Sequence, residues 1–291
     1  MSRLIITTEL YDFLVFDVES ETITFKKPKT DQLQCDHFHN KHRNPFRPFG
    51  IAEDDDSLYI TSNDRLGKFD KFTYEFLNLI DIPLWMNTHQ IIKDGNTLYI
   101  CNTAIDSIGI YNLETKENKQ LNLNYLSVFN QVLVPAFADQ LDIRHINCMH
   151  DAGDKIYFIR HNRDLTESDF GYFDKRTLEP VLFISVGRCC HGIKIINNEL
   201  ISLSTGTGEL LSINLTSLKV TKAPLVDPDT TFLRGLEYLD GELYIGGSIN
   251  FKKTLEINPE CFILKLNLES GVSKKIVLEN TKFINDLKFI T

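Results

Sequence analysis

The sequence predicts an all-β fold: a single six-bladed β-propeller whose first blade is closed by the C-terminal strand. Three observations lead there. A unit of apolar segment, Asp/Gly/Asn turn, strand, polar pair and second strand recurs along the chain. Its copies are spaced by about 47 residues, within the range of propeller repeats. No helical pattern of roughly 10–15 residues alternates with the strands, which removes a parallel α/β fold.

The repeat reads FGIAEDDDSLYITSN from Phe49, HQIIKDGNTLYICNT from His89 and INCMHDAGDKIYFIRHN from Ile146. It returns as HGIKIINNELISLST from His191 and RGLEYLDGELYIGGS from Arg234. A last copy starts in INDLKFIT, around Asn285, and the chain then ends. LIITT, FLVFDVE and ITFKK open the protein without a first strand of their own, so the two chain ends share one blade. The expected organisation is one domain over 1–291. Blade one takes 1–28 with 283–291; the others fall near 47–80, 85–126, 144–187, 190–227 and 232–279. One helical stretch is expected, 123–141, with Tyr125, Phe129, Leu133 and Phe137 four apart and Pro135 interrupting it. Between blades three and four, such a stripe packs on the body or walls the pocket as a lid.

Composition narrows the function classes. The chain has 31 Lys+Arg against 40 Asp+Glu, a formal net charge of −9, which speaks against a general nucleic-acid binder. No apolar run approaches the ~18 residues of a membrane-spanning helix, and MSRLIITTELYDF reads as a strand and not a signal peptide. Six Cys, two of them adjacent at Cys189 and Cys190, suggest reduced thiols and a cytoplasmic setting.

In a propeller the starts of first strands and the ends of second strands converge on one mouth of the central channel. Those positions are polar here although the strands are apolar. First-strand starts carry Thr88, His89, His145, Asn147, Cys190, His191, Arg234 and Asn285, and second-strand ends Asn63, Asn102, Thr103, His161, Asn162, Ser204, Thr205 and Ser248. Eight of ten Arg and seven of eight His map to that side. An acidic chain that reserves guanidinium for one rim is expected to receive an anion there. The bland alternative is that these Arg pair with Asp64, Asp142, Asp164 or Glu167.

His89, His145 and His191 come from consecutive blades. They suit a divalent metal with an open position, or acid–base work near neutral pH, or hydrogen bonds to a neighbouring blade's backbone. Cys35-Asp36-His37-Phe38-His39-Asn40-Lys41-His42 does not match two-plus-two zinc spacing and reads as a mobile basic loop over the mouth, with Arg43, Arg47 and Pro48 beside it. Ser204-Thr205-Gly206-Thr207-Gly208 joins two strands, so its glycines serve a tight turn and not a phosphate cradle. Cys190 reads as buried and inert.

His145-Ile146-Asn147, then His191 leading to Ser204–Leu210, then Leu233-Arg234-Gly235-Leu236 leading to Gly247-Ser248, resemble the H-I-N, S-G-x-G-x-L and R-G-L…G-x-S pattern of a family of uncharacterised bacterial β-propeller proteins, some designated TPR-repeat-containing. The resemblance covers about 144–280. It implies a propeller and points to His145, Asn147, His191, Arg234, Gly235 and Ser248. Cys148, Cys190 and Gly192 depart from the pattern. A looser likeness to lactonase-type and antibiotic-lyase propellers is one of fold.

The expected function is therefore enzyme-like: lyase, hydrolase or isomerase chemistry on a small anionic substrate, a carboxylated or phosphorylated sugar or peptide-like metabolite. His145, His191 and His89 would be catalytic or hold a divalent metal. Arg234, Arg144, Arg188, Asn147, Asn102, His161, Asn162, Ser204, Ser248 and Asn285 would bind substrate. A non-catalytic ligand- or glycan-binding propeller, or a scaffold for a protein partner, is the alternative.

Overall fold

The computed structural model describes residues 2–33, 48–63, 65–82, 87–124, 142–163, 165–249 and 260–290. The Cys35–His42 cluster, Arg43, Arg47, Asp64, Asp164 and nearly all of the expected helix lie outside the described residues. The chain divides into two compact units, Met1–Thr88 with Asp229–Thr291, and His89–Pro228.

The first unit contains three four-stranded sheets. One is built from β1 (Arg3–Thr8), β2 (Phe13–Asp17) and β3 (Thr22–Lys27), the next from β4 (Pro48–Glu53), β5 (Ser57–Ser62), β6 (Arg65–Asp70) and β7 (Phe76–Ile80). The second unit, from His89 on, holds β8 (Thr88–Asp94) apart from its first residue, with β9 (Thr97–Asn102), β10 (Ser107–Asn112) and β11 (Asn118–Asn122), then β12 (Ile146–Asp151), β13 (Lys155–Arg160), β14 (Asp169–Asp174) and β15 (Pro180–Ser185). Its third sheet is β16 (Cys190–Ile196), β17 (Glu199–Ser204), β18 (Glu209–Asn214) and β19 (Val220–Pro224). β20 (Thr231–Leu239), β21 (Glu242–Ile249), β22 (Cys261–Asn267) and β23 (Ser273–Leu278) return to the first unit, and β24 (Ile284–Ile290) pairs antiparallel with β1, Arg3 opposite Ile290. The fold is a six-bladed β-propeller, and the last strand completes the first blade.

β1 shows why the strands read as continuous apolar runs. Leu4 and Ile6 pack with Leu14, Tyr244, Ile263, Ile284 and Leu287, while Ile5 packs with Phe13, Ile51, Ile60 and Phe69. Successive side chains leave a strand on opposite faces, so a strand buried on both faces is apolar throughout. The second unit repeats this. Met149 and Phe158 join Tyr99 and Phe173 on one side; Cys148 and Ile159 join Phe170, Ile193 and Leu211 on the other.

One turn is repeated in all six blades after the third strand. An Asx carboxyl or amide oxygen (Asp17, Asp70, Asn112, Asp174, Asn214, Asn267) accepts backbone N–H groups two or three residues on. The fourth residue beyond it has positive φ: Glu21, Tyr74, Lys116, Leu178, Leu218 and Gly271. The signature is [DN]-x-x-[ST], as in Asp70…Thr73 and Asn214…Ser217. These N–H bonds hold the Asp17, Asp70 and Asp174 carboxyls below the usual carboxylate range.

Asp12, immediately before β2, is buried and accepts the Thr30 N–H at 2.8 Å. Burial raises its pKa to about 6, against hydrogen bonds from Thr30 and the charges of Lys29 and Lys27. Burial also lowers Lys29 to about 8. An acid whose folded pKa is raised contributes stability below its unfolded value and loses it as pH climbs through the folded one. Ionised Asp12 is thus a net cost at neutral pH. Asp12→Asn, which keeps an acceptor for Thr30, is expected to gain roughly 1–3 kcal/mol relative to the parent between pH 4 and 7. Urea unfolding of both proteins at a series of pH values measures the difference; a pH-independent one contradicts the assignment.

Candidate functional site

Among the described residues, four of the six inner strands follow directly on a left-handed residue. Asn87, His145, Cys189 and Phe283, with φ of 50–54°, immediately precede Thr88, Ile146, Cys190 and Ile284. Bulges follow at Phe49/Gly50, Asn147, Gly192, Arg234/Gly235 and Asn285, which drop out of register with the second strand. A bulge turns a side chain out of its sheet's alternation. At Gly235 it requires glycine: φ is +79° and a Cβ would lie 2.8 Å from the Leu287 Cγ.

Many of the polar residues expected at the site are used to join one blade to the next. In the first unit Thr7 Oγ1 donates to the Phe49 carbonyl at 2.6 Å and Asn285 Nδ2 to the Pro48 carbonyl at 2.8 Å. Thr88 donates from N and Oγ1 to the Asn63 carbonyl, and the Ile284 N–H donates to Ser248 Oγ at 3.0 Å. In the second unit Thr103 Oγ1 donates to the Ile146 carbonyl at 2.5 Å, Asn147 Nδ2 to the Cys190 carbonyl at 3.3 Å, and the Cys190 N–H to Ser168 Oγ at 3.0 Å. Ser204 Oγ accepts the Arg188 N–H at 2.9 Å, and the Gly206 N–H donates to the Arg188 carbonyl. Asn102 is fully buried at the end of β9. Asn147, Ser248 and Asn285 thus have a structural use of the kind first considered for the histidines.

The histidines do something else. Four imidazoles of the second unit stand in an edge-to-face row: His89 to His145 at 5.1 Å, His145 to His161 at 5.0 Å, and His161 to His191 at 4.9 Å between ring centroids. His161, assigned from sequence to substrate binding, is the link between His145 and His191. His145 Nδ1 lies 2.7 Å from Asp142 Oδ1, a contact in which an Nδ1–H would donate to the carboxylate. His191 Nδ1 is 3.0 Å from Thr205 Oγ1. The loop carrying His145 is clasped by buried Asp106, whose carboxylate accepts the N–H groups of Ile143 at 2.9 Å and His145 at 2.7 Å. Burial pushes the Asp106 carboxyl up, against the pull of these N–H groups. Rings placed side by side differ from ligands converging on one point, and among the described residues no trio of His, Cys, Asp or Glu has metal-holding geometry.

The arginines divide. Arg160 is buried and held by Asp169 at 2.6 Å and by the Leu123 carbonyl at 2.9 Å; Asn162 donates to the same Asp169 oxygen at 2.7 Å. Arg163 pairs with Asp142 through Nη2 and donates from Nε to the Asp142 carbonyl at 2.7 Å. Both serve local structure, and the second bears out the expected Asp142 pairing. Arg144, beside His145, and exposed Arg188 make no side-chain hydrogen bond or ion pair among the described residues. In the first unit Arg234 lies over Phe49 at 5.7 Å and Phe232 at 5.5 Å, and donates to Asn285 Oδ1 at 3.2 Å. Cys190 is fully buried, its thiol pushed up to about 12 by burial, as an inert core cysteine would be.

Two residues important to this arrangement escaped the sequence reading. Asp106 lies in a short turn with no motif around it. Asp142 was taken as an arginine partner alone; its position three residues before His145 was the signal that it also orients the imidazole.

Solved structures share the fold. A structure of a nidogen/laminin complex matches with a TM-score of 0.72 at 12% identity, covering 99% of this chain and 98% of that one. A protein of unknown function from Bacteroides caccae matches at 0.68 and 10% identity, with the same coverage. At such identities the likeness is one of fold. No family model and no curated protein matches the chain.

If the inter-blade bonds have the role assigned, Ser248→Ala and Asn285→Ala each lower stability by about 1–2 kcal/mol, through a lost hydrogen bond and a buried group left unsatisfied. Chemical denaturation measures this; changes within about 0.3 kcal/mol would show the bonds to be incidental.

Proposed function

We propose that the second unit carries an acid–base site for a small anionic substrate, a carboxylated or phosphorylated sugar or peptide-like metabolite. The observation that carries it is the Asp142–His145 pair at the junction of the imidazole row. Asp142 fixes the tautomer and ring plane of His145 and favours the imidazolium once a proton has been taken. A base of this kind abstracts a proton from a hydroxyl, or from carbon next to a carboxylate, and returns it to a leaving group. Lyase, hydrolase and isomerase reactions all begin so. His161 and His191 extend the polar row, each offering an imidazole within one ring's breadth of the next. Arg144 and Arg188 supply guanidinium for the substrate's carboxylate or phosphate. Free thiols at Cys101, Cys148, Cys189, Cys190 and Cys261 support the cytoplasmic reading.

A second reading, a propeller that binds a protein partner, is favoured by the likeness to a structure of a nidogen/laminin complex.

Turnover of a panel of hydroxy acids, sugar phosphates, uronates and short acidic peptides, followed by proton NMR, tests the first reading. The parent is expected to convert at least one compound. His145→Gln should slow it about 100-fold or more, Asp142→Asn about 10–100-fold, and Arg188→Gln should act mainly on KM. Saturable binding with no turnover, or turnover unaffected in His145→Gln, would sink the acid–base role.

A further inference from the structure

The outer strand of each blade presents an unpaired sheet edge, and five of the six bear residues that discourage another strand from joining. β3 carries Lys26 and Lys27, β11 Lys119, β19 Lys222 and Pro224, and β23 Lys274 and Lys275; β15 opens on Pro180. β7 is different. Its sequence, Phe76-Leu77-Asn78-Leu79-Ile80, has no lysine, arginine or proline. Leu77 is 50% and Leu79 36% exposed. Leu77 bulges out of register with β6 between Phe76 and Asn78, Asn78 Nδ2 donates to the Leu79 carbonyl at 2.8 Å, and the other backbone groups on the outward side of β7 make no hydrogen bond among the described residues.

Charge decides what this edge accepts. Glu75 and Asp81 bracket the strand, both exposed and neither in a side-chain hydrogen bond or ion pair among the described residues. A second copy pairing antiparallel about Asn78 would set Glu75 against the copy's Asp81, like charges directly opposed, which disfavours self-association. A strand with basic ends meets the two carboxylates favourably. At about 3.3 Å per residue, and with Leu77 bulged, they stand roughly 17–20 Å apart, so the partner's basic residues should be about five or six positions apart.

We propose that β7 is a docking edge for another polypeptide, which adds as an extended strand with apolar residues at alternate positions and Lys or Arg at both ends. Backbone hydrogen bonds supply attachment, Leu77 and Leu79 supply apolar cover, and Glu75 and Asp81 select the flanks. The edge belongs to the first unit, so its failure leaves the acid–base reading untouched.

Fluorescence anisotropy with the full chain tests it. The probes are a labelled heptapeptide of alternating Val and Thr with Lys at both ends, and a twin with Glu at both ends. The Lys-ended peptide should bind saturably and roughly tenfold more tightly than its twin. In Glu75→Lys/Asp81→Lys the preference should reverse, which a misfolded protein would not do. Leu77→Lys/Leu79→Lys should bind neither. No saturable binding, equal affinity for the twins, or a preference unchanged by charge reversal would overturn the proposal. So would a dimer in analytical ultracentrifugation that Leu77→Lys/Leu79→Lys dissociates, since a second copy would then hold the edge.

Discussion

The structure depends on satisfying the backbone where each inner strand begins. At β12, β16 and β24 the chain passes through positive φ and then a bulge, as at Cys189 and Gly192, and the ladder with the second strand is interrupted. Groups released from a ladder and buried must be bonded elsewhere. Side chains of the adjoining blade within each unit supply the bonds: Thr7 and Asn285 to the start of β4, Ser248 to β24, Thr103 to β12, Asn147 and Ser168 to β16. Within each unit the blades are thus joined by apolar packing between sheet faces and by a polar seam at their inner ends.

That seam explains why polar residues at strand ends are poor evidence of a ligand site when taken one at a time. Ser204, Ser248, Asn147 and Asn285 are polar because the backbone beside them needs a partner. The imidazoles are set apart by arrangement. His89, His145, His161 and His191 face one another at about 5 Å, and one is anchored by a carboxylate itself held by Arg163. Four titratable rings exceed what a backbone seam requires, and the acid–base proposal rests on their grouping.

The sequence made the fold legible because blade repetition is written in strand periodicity and spacing, and both survive without knowledge of long-range contacts. The closure of blade one by β24 followed from the mismatch between the two chain ends. A further repeat, [DN]-x-x-[ST] from Asp17 to Asn267, was equally visible but lies in the outer turns, away from the polar positions that drew attention. The candidate site was legible in its histidines and less so in its support. Asp106 acts through backbone N–H groups, which leave no side-chain signature. Arg160 is among the eight arginines counted toward the mouth, but its partner Asp169 comes from β14, and only the folded register brings them together.

The central claim is that Asp142 holds His145 as a base with its proton on Nδ1. Long-range proton–nitrogen NMR of the histidine rings measures this directly. The account predicts that neutral His145 is the Nδ1–H tautomer, with a slowly exchanging Nδ1 proton that disappears in Asp142→Asn. An Nε2–H tautomer in the parent protein, or a His145 spectrum indifferent to Asp142→Asn, would contradict it.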